Sequence, residues 1–222
     1  MAKETVTLGI YVSGTTVAAV SSRGHETVVE TRAATDPAAW LELVTYGISL
    51  EPGTELRGAF SFAVGVTPEF EFDLRREARE AGFHRVLVVP ALDAARKGLG
   101  GGVSARAPLI VLDAERSHLG VGDQEDSVRR IPGREARELA VSLRCLLKPL
   151  PPGERRALLQ QVLVVGSEDA LAAFGKREIE KELAGIGVRR IDFRYEAVDL
   201  ARGVLLTAEQ APRSYWRRVA RS

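Results

Sequence analysis

The residues of this chain best suited to chemistry lie near its start. They are Ser13-Gly14-Thr15-Thr16, set between the strand-like runs Val6 to Tyr11 and Thr16 to Ser21. A tight turn of this composition presents backbone N–H groups and small hydroxyls to an anion, as phosphate-cradling hairpins do. The same four residues also make an ordinary hairpin turn, and the sequence leaves both readings open. Other chemistries lack their residue sets. Cys145 is the lone cysteine, which excludes an internal disulfide and a cysteine-based zinc site. His84 and His118 have no second histidine or cysteine at metal-ligand spacing and read as surface residues. The tail from Arg213 to Arg221 mixes aromatics with arginines. It could meet a partner or an acidic surface, but composition favours a frayed basic terminus.

The elements that must position the turn follow a regular alternation. Val6 to Tyr11, Thr16 to Ser21 and Thr27 to Thr31 read as a three-stranded meander with a second turn at Arg23-Gly24. Asp36-Pro37 opens a helix, with the aspartate as cap and the proline in the first turn. Gly58 to Gly65 reads as a buried strand, and Thr67-Pro68 starts a helix that Gly82 stops. Arg85 to Val89 is a short strand, followed by a helix from Pro90 to about Gly98. The glycine-rich run Gly98 to Gly102 is the natural hinge. The pattern then restarts. Pro108 to Asp113, Leu119 to Val121 and Ser127 to Ile131 read as three strands, and an amphipathic helix carries Ala136, Leu139, Ala140, Leu143 and Leu147 on one face. Leu150-Pro151-Pro152-Gly153 breaks that helix. Gln161 to Val165 is a strand, Ser167 caps one helix running through Leu171, Phe174, Ile179 and Leu183, Val188 to Phe193 is a strand, and Glu196 to Thr207 is a last helix. The expected fold is α/β, with each half a three-stranded meander plus helices and further strands. The expected division is 1–100, 101–207 and a basic tail 208–222.

Length and composition fit this layout. The 222 residues, 45% hydrophobic and 27% charged, suit one large or two small globular domains. A net charge of +1 gives no global signal for nucleic acid or membrane. No apolar run is long enough to span a bilayer, and the chain enters its first strand without a leader pattern, so a cytoplasmic protein is expected.

Five segments, in order, resemble the nucleotide-binding domain of the seventy-kilodalton heat-shock chaperones, within the actin and sugar-kinase superfamily. Gly9-Ile10-Tyr11-Val12-Ser13-Gly14-Thr15-Thr16 resembles the first phosphate motif, G-I-D-L-G-T-T. Ala78 to Gly98 resembles the first connecting motif. Leu109-Ile110-Val111-Leu112-Asp113 with the following residues to Val121 resembles the second phosphate motif, D-L-G-G-G-T-f-D-v. Val162 to Ser167 is similar to the adenosine motif, v-L-V-G-G-s, and Tyr195 to Gly203 to the closing helix. The resemblance implies two ribonuclease-H-like halves around a cleft. It implies ATP or ADP with Mg as cofactors, held by Ser13, Gly14, Thr15, Thr16, Asp113, Gly166 and Ser167. Given the short chain, the insert subdomains would be reduced or missing, and the family's peptide-binding domain has no room after Thr207.

The departures from the family bear on activity. Tyr11 stands where the family has the aspartate that holds the magnesium hydration shell, and Val89 stands where it has glutamate. Glu115, Arg116 and Ser117 replace the three glycines of the second phosphate loop, and His118 and Gly120 replace the threonine and aspartate after it. Asp113 is the one acid retained, and the sole residue the resemblance offers to metal or catalysis. Asp113 can equally cap a turn, and Gly166-Ser167 can be a plain strand-to-helix junction. Phosphoryl transfer depends on metal and donors for charge neutralisation. The expectation is therefore a catalytically degenerate scaffold with a protein partner, or a homodimer. The alternative is a slow Mg-dependent ATPase acting as a reactivase through Asp113 and the Thr15-Thr16 hydroxyls.

Overall fold

A computed structural model describes residues 4–31, 36–46, 48, 50–63, 66–99, 101, 104, 106–113, 116–121, 128–132 and 135–219. The chain divides into two compact units, residues 1–98 with 196–222 and residues 99–195.

In the first unit, β1 (Thr5–Ser13), β2 (Thr16–Ser21) and β3 (Glu26–Glu30) form an antiparallel meander. β4 (Glu55–Phe62) lies parallel to β1, and β5 (Arg85–Val88) parallel to β4. A central strand buried on both faces is apolar on both, and β1 obeys this with a twist. Val6, Leu8, Ile10 and Val12 enter a core with Trp40, Leu41 and Val44 of α1 (Ala38–Thr45) and with Leu74 and Ala78 of α2 (Pro68–Glu80). On the opposite face Gly9 leaves room for α8 (Ala197–Gln210) to lie directly on the strand. A Cβ on Gly9 would stand 2.4 Å from the Ala201 carbonyl oxygen. The same device joins α8 to α3 (Ala91–Leu99), since a Cβ on Gly203 would stand 2.0 Å from the Ala94 carbonyl oxygen. Thr67 caps α2 by accepting the Phe70 N–H at 3.2 Å, as its sequence suggests. α1 starts one residue later than expected. Asp36 accepts the Ala38 N–H at 3.1 Å, which leaves Pro37 ahead of the first turn.

The second unit repeats the plan. β6 (Leu109–Leu112), β7 (Arg116–Gly120) and β8 (Val128–Pro132) are an antiparallel meander, and β9 (Val162–Val165) and β10 (Ile191–Arg194) add in parallel. Its strand order, β10-β9-β6-β7-β8, repeats β5-β4-β1-β2-β3 of the first unit. The duplicated halves read from the sequence are therefore present in topology. The core is filled by Leu139, Leu143 and Leu147 of α4 (Ala136–Leu147) with Ile179 and Leu183 of α7 (Lys176–Gly185). Two helical readings need correction. The expected break at Pro151-Pro152 is followed at once by α5 (Pro152–Leu158), because proline in a first turn gives up an N–H that has no helical partner anyway. The single helix expected after Ser167 is two, α6 (Glu168–Phe174) and α7, separated at Gly175. Phe174 and Ile179 both enter the core, so the apolar period runs across the break.

The division also differs from the expected one. Residues 196–222 belong with the first unit rather than forming the end of a second half and a separate tail. As far as Val219 the tail is no frayed terminus. After a 3-10 turn at Arg213–Tyr215, β11 (Arg217–Arg218) pairs antiparallel with β5. Trp216 and Val219 are each 7% exposed, the Arg57 guanidinium lies 5.8 Å from the Trp216 ring centre, and the Val219 N–H donates to the His84 carbonyl at 3.1 Å. Burial of two apolar side chains and a cation–π contact hold this strap where its charge alone would let it fray.

Candidate functional site

In the first unit the candidate residues lie on the β1–β2 hairpin. Ser13 faces Thr16 in register, so Gly14-Thr15 is a two-residue loop. Gly14 has φ 55° and no non-glycine residue described has positive φ, which is the pattern of a type II′ turn. Ser13 is buried at 4% exposure. The two threonine hydroxyls point at Glu30, at the end of β3. Thr15 Oγ1 donates to Glu30 Oε2 at 3.2 Å and Thr16 Oγ1 to Glu30 Oε1 at 3.0 Å. A carboxylate thus holds the donors that a phosphate would need, and its charge opposes an incoming anion. Sequence reasoning missed Glu30. The signal was present in the second turn, because Thr16 and Glu30 are equidistant from Arg23 along the chain and therefore face each other across β2 and β3.

Tyr11 occupies the acid's position inside the sheet. It is 2% exposed, opposite Ala18 on β2 and Ser61 on β4. Ser61 is fully buried, and its hydroxyl has no hydrogen-bond partner among the described residues. Val89, at the glutamate's position, is 2% exposed and donates its N–H to the Phe60 carbonyl at 2.7 Å. Both positions are filled by sheet packing.

In the second unit, Asp113 follows β6 and Gly166-Ser167 follows β9. These strands are parallel neighbours with Val111 opposite Val165, so Asp113 and Gly166-Ser167 emerge at the same end of the sheet. Asp113 is 3% exposed. Gly166 is needed there because a Cβ would come within 2.9 Å of the Leu112 Cβ. Ser167 caps α6, its hydroxyl accepting the Ala170 N–H at 3.2 Å. Ser117 on β7 is fully buried opposite Leu112 of β6. Glu115 and the side chain of Arg116 lie outside the described residues. His84 and His118 are half-buried rather than surface residues. His84 is structural, its Nδ1 accepting the Leu56 N–H at 3.2 Å.

Magnesium is the hydrated divalent cation that the resemblance implies. Such an ion takes oxygen ligands, carboxylates above all. Among the described residues no group of three or more histidines, cysteines, aspartates or glutamates is placed to hold one. Glu30 is the nearest acid to the hairpin hydroxyls, and it is already bonded to them.

No family model and no curated protein matches the chain. Solved structures do. A MamK double helical filament aligns with TM-score 0.72 over 94% of this chain and 100% of its own, at 12% identity. The fold is that of the actin-like ATPases. MreB5 of Spiroplasma citri bound to ADP aligns with TM-score 0.59 over 94% of this actin-like chain and 96% of its own, at 12% identity. The ethanolamine utilization protein EutJ from Carboxydothermus hydrogenoformans gives 0.52 over 90% and 89%, also at 12% identity. Likeness at such identities fixes the actin-like fold and leaves function to the site.

Proposed function

We propose that this chain is a catalytically degenerate actin-like domain of the shortened heat-shock-chaperone type. It serves as a cytoplasmic protein-interaction or assembly scaffold and binds nucleotide weakly. The observation that carries the reading is the hairpin tip, where the Glu30 carboxylate accepts from both threonine hydroxyls. Tyr11 in the acid's place and Asp113 as the one retained acid support it. The neighbours supply the context for a scaffold: one is a MamK filament, so self-assembly into a dimer or filament is the simplest partnership. MreB5 was solved with ADP, and residual ADP or ATP binding is compatible with the same fold.

Calorimetry with ATP and ADP, with and without magnesium, tests this reading. The expected dissociation constants are about 0.1 mM or weaker and are unchanged by magnesium. Submicromolar affinity that requires magnesium would overturn it in favour of the slow ATPase.

A further inference from the structure

The sheet edge at β5 is only half covered. β11 pairs with two of its four residues, Arg217 opposite Val86 and Arg218 opposite Arg85. Before Arg217 the strap leaves the sheet as the 3-10 turn Arg213–Tyr215, and among the described residues no strand pairs with Leu87 and Val88 on that side. The Val89 N–H donates to the Phe60 carbonyl, and Phe60 stands opposite Val88. In a parallel ladder this turns the Val88 N–H and carbonyl away from β4, toward the uncovered edge.

A cavity of about 250 Å³ lies at this edge. Its floor is Val86, Leu87 and Val88, and its walls are Arg75 of α2 and Tyr215 and Arg217 of the strap. Tyr215 is 64% exposed, an aromatic of the kind that anchors interfaces. Arg75 pairs with Glu71 through one terminal nitrogen, but its Nε is buried and has no hydrogen-bond partner among the described residues. Among the lining residues Arg75 and Arg217 stand against the single carboxylate of Glu71.

We infer that this edge is a docking site for an extended peptide segment with acidic side chains, which adds as a strand beside Leu87 and Val88. Exposed strand edges are templates for such addition, with main-chain bonds giving affinity and flanking side chains giving choice. The two backbone groups of Val88 supply the bonds. Arg75 and Arg217 select carboxylates, and Tyr215 packs over the segment. The inference goes beyond the scaffold reading and stands whether or not nucleotide binds.

The test is fluorescence anisotropy of a labelled peptide of alternating valine and aspartate against the full chain, beside a valine–lysine counterpart. The acidic peptide should bind saturably and about tenfold more tightly than the lysine peptide. Arg75→Gln and Tyr215→Ala should each weaken it about fivefold or more, and added peptide should slow amide exchange at Val88. Tyr215 is exposed, so its variant keeps the fold even if Arg75→Gln does not. Absent saturable binding, equal binding of the lysine peptide, or insensitivity to Tyr215→Ala overturns the proposal. So does protection of Val88 by concentration alone, which would make a second copy the occupant.

Discussion

Replacing Gly203 with alanine should destabilise the first unit, although alanine is the better helix former. Gly203 lies within α8 where it crosses α3, and the new Cβ would stand 2.0 Å from the Ala94 carbonyl oxygen and 2.6 Å from the Gly98 nitrogen. Both are backbone atoms, so no rotamer change relieves the overlap, and the helices must part by roughly 1 Å or more. Overpacking of this kind costs about 3 kcal/mol at the upper end of its usual range. The gain in helix propensity returns about 1 kcal/mol. The net loss is about 2 kcal/mol, which for a chain of this size lowers Tm by roughly 4–8 °C. Gly185→Ala is the matched control, because nothing lies within 4 Å of its Cβ position at the end of α7. It should gain up to about 1 kcal/mol. Thermal melts followed by circular dichroism, with urea titrations beside them, read both variants. A Gly203→Ala protein as stable as the parent would refute the close α3–α8 crossing.

Three further expectations follow from the same contacts. Glu30→Ala should raise ATP affinity about fivefold in calorimetry, since removing one unit charge at about 4 Å from an anion in water is worth about 1 kcal/mol; unchanged affinity would separate the hairpin from nucleotide. Trp216→Ala should cost about 3 kcal/mol and speed tryptic cleavage after Arg217 and Arg218, because the strap loses its buried anchor. Equal cleavage rates would restore the frayed-tail reading. Glu55 bonds Arg57 and Arg85, and the Arg57 hydrogen bond, partly opposed by burial, holds its carboxyl below the usual 4.5. A depressed carboxylate stabilises the fold above its unfolded pKa and loses that contribution as pH falls through its folded value. Stability of Glu55→Gln should therefore fall less than that of the parent between neutral and acidic pH in urea titrations.

Much of the fold was legible because its signals are local. Apolar runs bounded by turns marked both meanders, and Thr67 and Ser167 announced their helices by capping chemistry. What escaped depends on long-range contacts. The last helix reads like the close of a second half, yet it lies on β1, an approach that Gly9 makes feasible. The strap looked frayed because its arginines outweigh Trp216 and Val219 in composition, whereas burial of those two decides its position. At the site, motif order placed Ser13 to Thr16, Asp113 and Gly166-Ser167 at strand ends. It could not reveal Glu30, whose role exists only in the β2–β3 register. Tyr11 was legible as a replaced acid, while its burial against Ala18 and Ser61 required the pairing.

In the proposed reading the actin-like fold is kept without its chemistry. Phosphate release from saturating ATP, measured with and without magnesium on the parent and on Asp113→Ala, tests it most directly. The expected result is no magnesium-dependent release from either protein. Turnover by the parent that disappears in Asp113→Ala would contradict it.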